Sequence, residues 1–231
     1  MILNLLNELS GARLTFNYMR VGGVKWDAPE GWIEKVRQFV PYMREQLKGY
    51  HDLVTGNEIF MNRIIGVGKY SKEEAVNYSL SGANLRSTGI KYDLRKQEPY
   101  SIYHRFDFDI PIREEGDAWA RYHCRIEEIE ESLKIIEQAV DQFPSDGPIL
   151  AKVPKIIKAP AGETFVRIEA PRGEIGCYIY SEGKKEPYRL KFRRPSFYNL
   201  QILPKLLKGE NIANLIAILG AIDIVLGEVD G

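Results

Sequence analysis

The sequence predicts an α+β fold, a mainly helical bundle with a small antiparallel sheet in its C-terminal third. Apolar residues recur three and four apart from 117 to 143, which is typical of a long amphipathic helix. From 162 to 194 the apolar period becomes two, which indicates short strands. We expect a single domain over 1–231, with a mainly helical part at 1–143, the sheet at 162–194, and a final helix and tail at 211–231.

The first half of the chain carries helix signals. The stretch 1–9 has the apolar spacing of a helix, and no N-cap precedes it, so we expect it to be the end of a helix. Asp27 and Glu30 form a D-x-x-E pattern that resembles a capping box, ahead of a helix from Trp32. Pro41 predicts a kink or break inside that helix, because proline lacks the amide hydrogen that a helix interior needs.

The middle of the chain predicts two further features besides helices. Ser71 and Glu74 form an S-x-x-E capping box that opens a short helix. The stretch 82–100 is polar, with little periodicity, and long ordered loops of this kind often carry function. The stretch 101–112 alternates polar and apolar residues, which predicts a strand.

The clearest element is the long helix that begins after Asp117, a good N-cap, and ends before Pro144. Its apolar seam is expected to pack in a helical bundle, and binding of a partner through the same face is the alternative. The seam consists of Trp119, Tyr122, Ile126, Ile129, Leu133, Ile136, Val140 and Phe143.

Three short antiparallel strands are predicted after a proline-spaced linker. Glu182 and Gly183 are the expected turn between the last two strands, and Asn211 is the expected cap of the final helix. The strands are expected at 163–173, 175–183 and 186–194.

Composition excludes several classes of function. The formal net charge is zero, so nothing indicates a nucleic-acid partner. The two cysteines, Cys124 and Cys177, are far apart and form neither a disulfide framework nor a metal cluster. The three histidines lack the spacing of a zinc-binding helix, so no metal site is predicted. No segment has the length of a membrane span, and no signal peptide is recognised.

One arginine stands out before any family is considered. Arg172 lies between a proline and a glycine at the end of a predicted strand, where its planar donor group can face an anion or a polar cofactor. An ordinary surface arginine in a turn is the alternative.

Four motifs together carry a specific resemblance. They are "SGARLTFNYMRVGGV", "LSGANLRSTGIKYDLRKQEPYSIY", "IEAPRGEIGCYI" and "DIVLGEVDG". The chain resembles, over essentially all of its residues and in order, the D (49-kDa) subunit family of proton-pumping NADH-quinone oxidoreductase, which is respiratory complex I. It most resembles the forms from Gram-positive bacteria.

The resemblance implies a fold like that of the nickel-iron hydrogenase large subunit, from which the family descends. Hydrogenases close with D-P-C-x-x-C, whose thiolates hold nickel. Here Asp223 is kept, while Val225 and Glu228 stand at the two cysteine positions. Valine cannot bind a metal, so hydrogenase chemistry is not expected. In the family this region became part of the cavity for the quinone headgroup, next to the terminal iron-sulfur cluster of the B subunit.

The resemblance also implies roles for individual residues. Cavity-lining or cluster-proximal positions correspond to Thr15, Arg20, Gly22, Gly23, Asp223 and Val225. Positions inherited from the old active-site scaffold correspond to Asp93, Arg95, Arg172 and Glu228. Whether Asp93 and Arg95 touch quinone or only hold the scaffold is left open.

Three departures from the family pattern modify these expectations. Thr15 stands where many members have a histidine that couples cluster reduction to a proton, so we expect a cluster of lower potential with little pH dependence. Gly231 stands in place of an arginine, so we expect a charge pairing with the B subunit to be lost. The family's N-terminal part, with a histidine and a tyrosine that face quinone, is not in the sequence, so this chain is expected to be a C-terminal portion that cannot complete the quinone site alone.

The resemblance therefore implies a quinone-site subunit that passes electrons from a neighbouring iron-sulfur cluster to quinone, with menaquinone favoured. The expected partners are the B subunit, the C subunit and the membrane subunits, and NAD is used by the whole complex. The expected location is peripheral, on the cytoplasmic side of the cell membrane, and this chain is expected to bind no cofactor and have no activity alone. A non-catalytic docking fragment and a hydrogenase-type metalloenzyme subunit are the alternatives, and the electron donor stays open.

Overall fold

The computed structural model describes residues 1–154 and 156–230 and has the α+β architecture that the sequence predicts. A three-stranded antiparallel sheet in the order β3-β4-β5 lies beside the helices, and a two-stranded hairpin, β1-β2, lies near the beginning. The strands are β1 (Met19–Arg20), β2 (Gly23–Val24), β3 (Ala161–Ala170), β4 (Gly173–Glu182) and β5 (Arg189–Arg193).

The helices account for most of the regular structure. The helices are α1 (Ile2–Ser10), α2 (Trp32–Tyr50), α3 (Glu58–Ile64), α4 (Lys72–Asn77), α5 (Ala83–Arg86), α6 (Leu94–Gln97), α7 (Ala118–Asp141), α8 (Pro195–Leu200), α9 (Leu203–Leu207), α10 (Ile212–Ile222) and α11 (Leu226–Asp230). No helix among the described residues is long and apolar enough to cross a membrane.

Two hydrophobic clusters form the core. In one, α1 and α2 pack against the C-terminal half of α7, with Val40, Leu47 and Leu133 at its centre. In the other, α10 packs beside α9 and the 70–85 region, with Ile218 and Ile222 fully buried. Because α7 contacts both α2 and α10, this long helix joins the two clusters.

Several helix caps agree with the sequence. Ser71 and Glu74 form the complete capping box of α4. Asp117 accepts the amide hydrogen of Ala120 at the start of α7, and Asn211 caps α10. These side chains satisfy amide groups that a helix N-terminus leaves without partners.

The expected capping box at Asp27 and Glu30 is wrong. Gly31, in a left-handed conformation, precedes α2, and the Asp27 carboxylate accepts the Ala28 amide hydrogen instead. Of the kink or break expected at Pro41, the break does not occur, since α2 continues through this proline and is 19 residues long. Burial of the helix face that includes Val40 outweighs the roughly 3 kcal/mol cost of an internal proline.

The strand expected at 101–112 is also wrong. A 3-10 turn occupies Tyr103–Arg105, and the extended segment that follows pairs with no strand among the residues that the structure describes. Its amide hydrogens are satisfied by side chains of α7: Asp107 donates to Gln138 (2.8 Å) and Asp109 to Glu131 (2.7 Å). The alternation reports burial of every second residue, and it does not require a sheet.

The long helix differs from its predicted seam in its N-terminal half. Leu133 and Val140 are buried as expected, but Trp119 and Tyr122 are only partly buried. The fully buried face there carries Ala118, Ala120, Arg121 and Cys124, because Arg121 donates to the carbonyls of Gly68 and Gly116. The stretch 82–100, expected to be irregular, contains α5 and α6.

The three-stranded sheet agrees with its prediction. Pro171 and Arg172 form the turn between β3 and β4, and Gly183 follows β4 directly. The connection to β5 is longer than the two-residue turn that we expected, because β5 begins only at Arg189.

Candidate functional site

The turn after α10 is held by two arginines. Asp223 has φ 58° and ψ 65°, a left-handed conformation that is uncommon outside glycine. Its carboxylate lies 3.4 Å from Nη2 of Arg172 and 3.6 Å from Nε of Arg125. Arg125 also donates to the carbonyl oxygens of Ala221 (2.7 Å) and Ile222 (3.1 Å), at the C-terminal end of α10. A cation is favoured at this end of a helix dipole, so Arg125 stabilises both the helix end and the Asp223 turn.

Polar side chains from other segments complete this corner. Asn84 on α5 donates to the Ile222 carbonyl (2.9 Å), and Asn199 on α8 donates to the Arg172 carbonyl (3.0 Å). Gly173, beside Arg172, leaves no room for a side chain, because an added Cβ would lie 2.4 Å from Oγ of Ser81. The arginine turn therefore packs directly on the start of the α5 segment.

The chain's last turn is fixed by α8. Glu228 accepts hydrogen bonds from the amide (3.1 Å) and hydroxyl (2.5 Å) of Ser196, which is fully buried. The same hydroxyl oxygen accepts the amide hydrogen of Val225 (3.2 Å). Val225 itself is 38 % exposed. We define Arg125, Arg172, Asp223, Val225 and Glu228 as the tail site.

An open cavity of 610 Å³ adjoins the tail site. Arg63, Arg125 and Asp223 supply its polar groups. The apolar part of the wall includes Phe60, Tyr122, Ile216 and Ala217. Burial lowers the pKa of Arg125, although the charge of Asp223 opposes this. The cavity is therefore largely apolar, with two guanidinium groups and a carboxylate in its wall.

A second group of charges is almost completely buried. Arg86 Nε lies 2.7 Å from Glu128 and its Nη1 lies 2.8 Å from Glu169. Arg95 pairs with Asp93 at 2.6 Å through Nη2, and Asp93 also caps α6. We call these five residues the buried ion network. Paired burial of this kind holds β3 against α5, α6 and α7.

The buried ion network shifts the acid–base behaviour of its members in opposite directions. Burial raises the pKa of Glu169, and Arg86 only partly offsets it. Burial alone would also raise the pKa of Asp93, but the hydrogen bonds and charge of Arg95 bring it below its ordinary value. Asp93 and Arg95 therefore neutralise each other's charge and pair by hydrogen bonds within the scaffold.

The glycine pair predicted near the cluster lies in the β1-β2 hairpin. Gly22 accepts the Ala151 amide hydrogen (2.9 Å), and Val24 donates to the Ile149 carbonyl (2.9 Å), so the 149–151 segment pairs with the hairpin. Gly23 has φ 153°, and an added Cβ would lie 2.2 Å from the Ile149 carbonyl oxygen. Only glycine permits this close approach of two backbones.

The structure thus sorts the predicted residues into three groups. Asp223, Val225, Arg172 and Glu228 come together in the tail site. Asp93 and Arg95 belong to the buried ion network. Thr15, Arg20, Gly22 and Gly23 lie in and before the hairpin, where Thr15 is exposed and Arg20 donates to Asn17. The Gly231 position lies outside the described residues.

Sequence reasoning missed Arg125, Arg86 and Glu169. Glu169 lies on β3, three residues before Arg172 and on the same sheet face as Arg167. This position on the strand was the sequence signal that could have marked it. Arg125 gave none, because it lies among the charged residues that a helix normally exposes.

Comparison with known proteins decides the family. The sequence profile described as the 49 Kd subunit of respiratory-chain NADH dehydrogenase matches residues 1–159 and 150–231, which together span the chain. The chain belongs to this family. The predicted resemblance is therefore confirmed.

Several curated relatives share one name, the D subunit of NADH-quinone oxidoreductase. The chain is 81 % identical to the proteins of that name from Geobacillus thermodenitrificans and Geobacillus kaustophilus, and 82 % identical to the one from Bacillus mycoides. Each match covers all of this chain and 63 % of the relative. The chain thus corresponds to a part of the D subunit, and more than a third of each relative's length lies outside the match.

Proposed function

We propose that this chain forms part of the quinone site of a complex I-type enzyme, in which electrons pass from a neighbouring iron-sulfur cluster to quinone. The observation that carries the proposal is the tail site, where Asp223 is held between Arg125 and Arg172 beside a largely apolar cavity. A quinone has an apolar ring and two carbonyl acceptors, so it suits an apolar wall with guanidinium donors at one side.

The tail site acts by position and charge in this proposal. The Arg125 guanidinium, which lines the cavity, stabilises the negative charge that develops on quinone oxygens during reduction, and Asp223 keeps the guanidinium in place. Arg125 fixes the turn that carries Asp223 and Val225. No covalent bond between quinone and the protein is required.

The iron-sulfur cluster belongs to another chain in this proposal. A cluster typically needs four thiolate ligands, and the chain contains two cysteines. Cys124 is fully buried, and burial raises the pKa of its thiol to about 12, so it is a poor metal ligand. The B subunit would hold the cluster, the C and membrane subunits would complete the assembly, and NAD would serve the whole complex.

The tail site is tested by Asp223→Asn in the assembled complex. Asparagine tolerates the left-handed turn but removes the charge that holds the two arginines. We expect quinone reduction to fall about tenfold or more, which corresponds to about 1.4 kcal/mol. Electron transfer from the donor to a water-soluble acceptor is expected to stay unchanged. Asp52→Asn, at an exposed position, is the matched control.

The alternative is a docking fragment without a catalytic role. In that case Asp223→Asn leaves quinone reduction intact at full assembly, and the quinone-site proposal is abandoned.

Thr15 supports a proposal about the quinone. Threonine cannot gain a positive charge, so reduction of the nearby cluster would not be coupled to a proton, and the cluster's potential would be low, as suits menaquinone. Redox titration of the complex is expected to show little dependence of the midpoint on pH near neutrality. Thr15→His should introduce such a dependence, and a steep slope in the unmodified complex would refute the proposal.

We further propose a peripheral location on the cytoplasmic side of the cell membrane and participation in ion translocation. Membership of the family supports the peripheral location, since the partners that hold this chain would include membrane subunits. Washing membranes at high pH should release the chain together with the B and C subunits, whereas retention in the bilayer fraction would contradict the peripheral location.

A further inference from the structure

The three-stranded sheet exposes an apolar face. The strand register shows which side chains lie on the same side of the sheet. Val166, Cys177 and Phe192 are direct partners across the three strands, so they share one side. Val166 is 58 % exposed and Phe192 is 50 % exposed. We call this side the outer sheet face, formed by Val166, Ile168, Cys177, Ile179, Leu190 and Phe192.

The opposite side of the sheet is charged where it meets the helices. Glu169 reaches Arg86 on that side, and Arg193 lies 3.4 Å from Glu174 and donates to the Ser79 carbonyl (2.9 Å). A one-residue slip of register would bring the apolar side chains inward, but these ion pairs prevent it. The exposure of the outer sheet face is therefore fixed by the charges beneath it.

The sheet is also open at its edges. Within the described ranges β3 and β5 pair only with β4, so each has one edge without ladder partners. Proteins usually cover an apolar sheet face with a second layer and protect long edge strands. The outer sheet face has six apolar side chains, no charge and open edges, so we expect an apolar layer of protein to cover it.

We propose that the outer sheet face is the docking surface for the part of the D subunit that lies outside these 231 residues. That part comprises more than a third of the length of the relatives, which is enough chain for a further layer. A segment of the same chain also docks without the loss of free translation that a separate partner incurs. A second copy or a different subunit would be the other occupants.

The two cysteines make the test direct. Cys177 lies at the centre of the outer sheet face and is partly exposed, whereas Cys124 is completely buried. We would measure maleimide labelling of each thiol by peptide mass spectrometry in the full-length D subunit, alone and in the complex, and in the 231-residue chain. Resistance of Cys124 to labelling shows that a preparation is folded.

The proposal expects Cys177 to react at least tenfold more slowly in the isolated full-length D subunit than in the 231-residue chain. Equal rates would overturn it. So would protection that arises only in the complex, which would identify another subunit, or protection of the 231-residue chain that rises with its concentration, which would identify a second copy.

A matched pair of variants on β5 separates docking from folding. Phe192→Asp places a charge on the outer sheet face, and Lys191→Asp changes the neighbouring exposed residue on the opposite side. In the full-length D subunit, Phe192→Asp should restore fast labelling of Cys177 while Cys124 stays protected. Lys191→Asp should leave the protection of Cys177 unchanged, and equal effects of the two variants would contradict a specific docking face.

Discussion

Arg86 and Glu169 lie 83 residues apart in the chain, and their side chains meet at 2.8 Å with no more than 5 % of either exposed. Arg86 also pairs with Glu128 of α7, so one guanidinium joins α5, α7 and β3. Because the region is nearly free of solvent, neither partner can lose the other without leaving a buried charge.

Removing Arg86 is therefore expected to be costly. Arg86→Met should lower the free energy of unfolding by about 3–5 kcal/mol, since it leaves Glu169 and Glu128 without their cation. Urea denaturation of the chain measures this loss. Arg37→Met is the control: Arg37 pairs with Asp141 at the surface, and its loss should leave the urea midpoint nearly unchanged. Similar effects of the two variants would contradict the buried role.

Glu169 should make the chain more stable as pH falls toward its ordinary titration range. Its pKa is raised in the folded state, mainly by burial, so its contribution is most favourable below the unfolded pKa of 4.5 and is lost as pH rises through the folded pKa. Glu169→Gln removes this dependence. The stability difference between Glu169→Gln and the unmodified chain should therefore shift in favour of the variant from pH 4.5 to pH 7. Urea midpoints across that range measure it, and parallel profiles would refute the shift.

Asp93 should act in the opposite direction. Burial opposes its charge, but Arg95 lowers the pKa of Asp93 below 3.8, so its stabilisation is present above pH 3.8 and is lost as pH falls through the folded pKa. Asp93→Asn should be less stable at pH 7 and lose less stability between pH 4 and pH 2. Acid unfolding followed by circular dichroism checks this, and an acid transition as steep as that of the unmodified chain would contradict it.

The two glycines Gly23 and Gly49 should respond oppositely to the same substitution. At Gly23 a methyl group would meet the Ile149 carbonyl at 2.2 Å in a backbone conformation that alanine rarely adopts, so Gly23→Ala should destabilise the hairpin by more than about 1 kcal/mol. At Gly49, inside α2, nothing lies within 4 Å, so Gly49→Ala should stabilise by about 0.5–1 kcal/mol. Thermal unfolding of both variants gives the comparison.

Sequence patterns predicted the elements whose information is local. The capping box at Ser71, the cap at Asp117 and the three strands depend on residues a few positions apart, and all are confirmed. The false strand at 101–112 shows the limit, because alternation reveals which residues are buried and says nothing about what satisfies the backbone. There the partners are Gln138 and Glu131, which no local pattern identifies.

The candidate site was predictable only in part for the same reason. The motifs located Asp223, Arg172 and Asp93, but the arrangement that gives them rigidity comes from Arg125 and Arg86. These arginines act through contacts with residues as far as 97 positions away in the sequence. Their positions on helices resemble those of ordinary surface charges, so the sequence alone did not identify them as part of the site.

The order in which the chain can fold follows from the anchoring of Asp223. Arg125 and the Ala221 carbonyl are 96 residues apart, and Asn84 and the Ile222 carbonyl are 138 apart. Closing such long loops is slow, because chain entropy must be lost before these contacts can repay it. The turn at Asp223 is thus expected to be among the last parts to form after synthesis. During that interval the cavity lacks the Asp223 carboxylate, so a partner that recognises the completed turn would distinguish finished chains from immature ones.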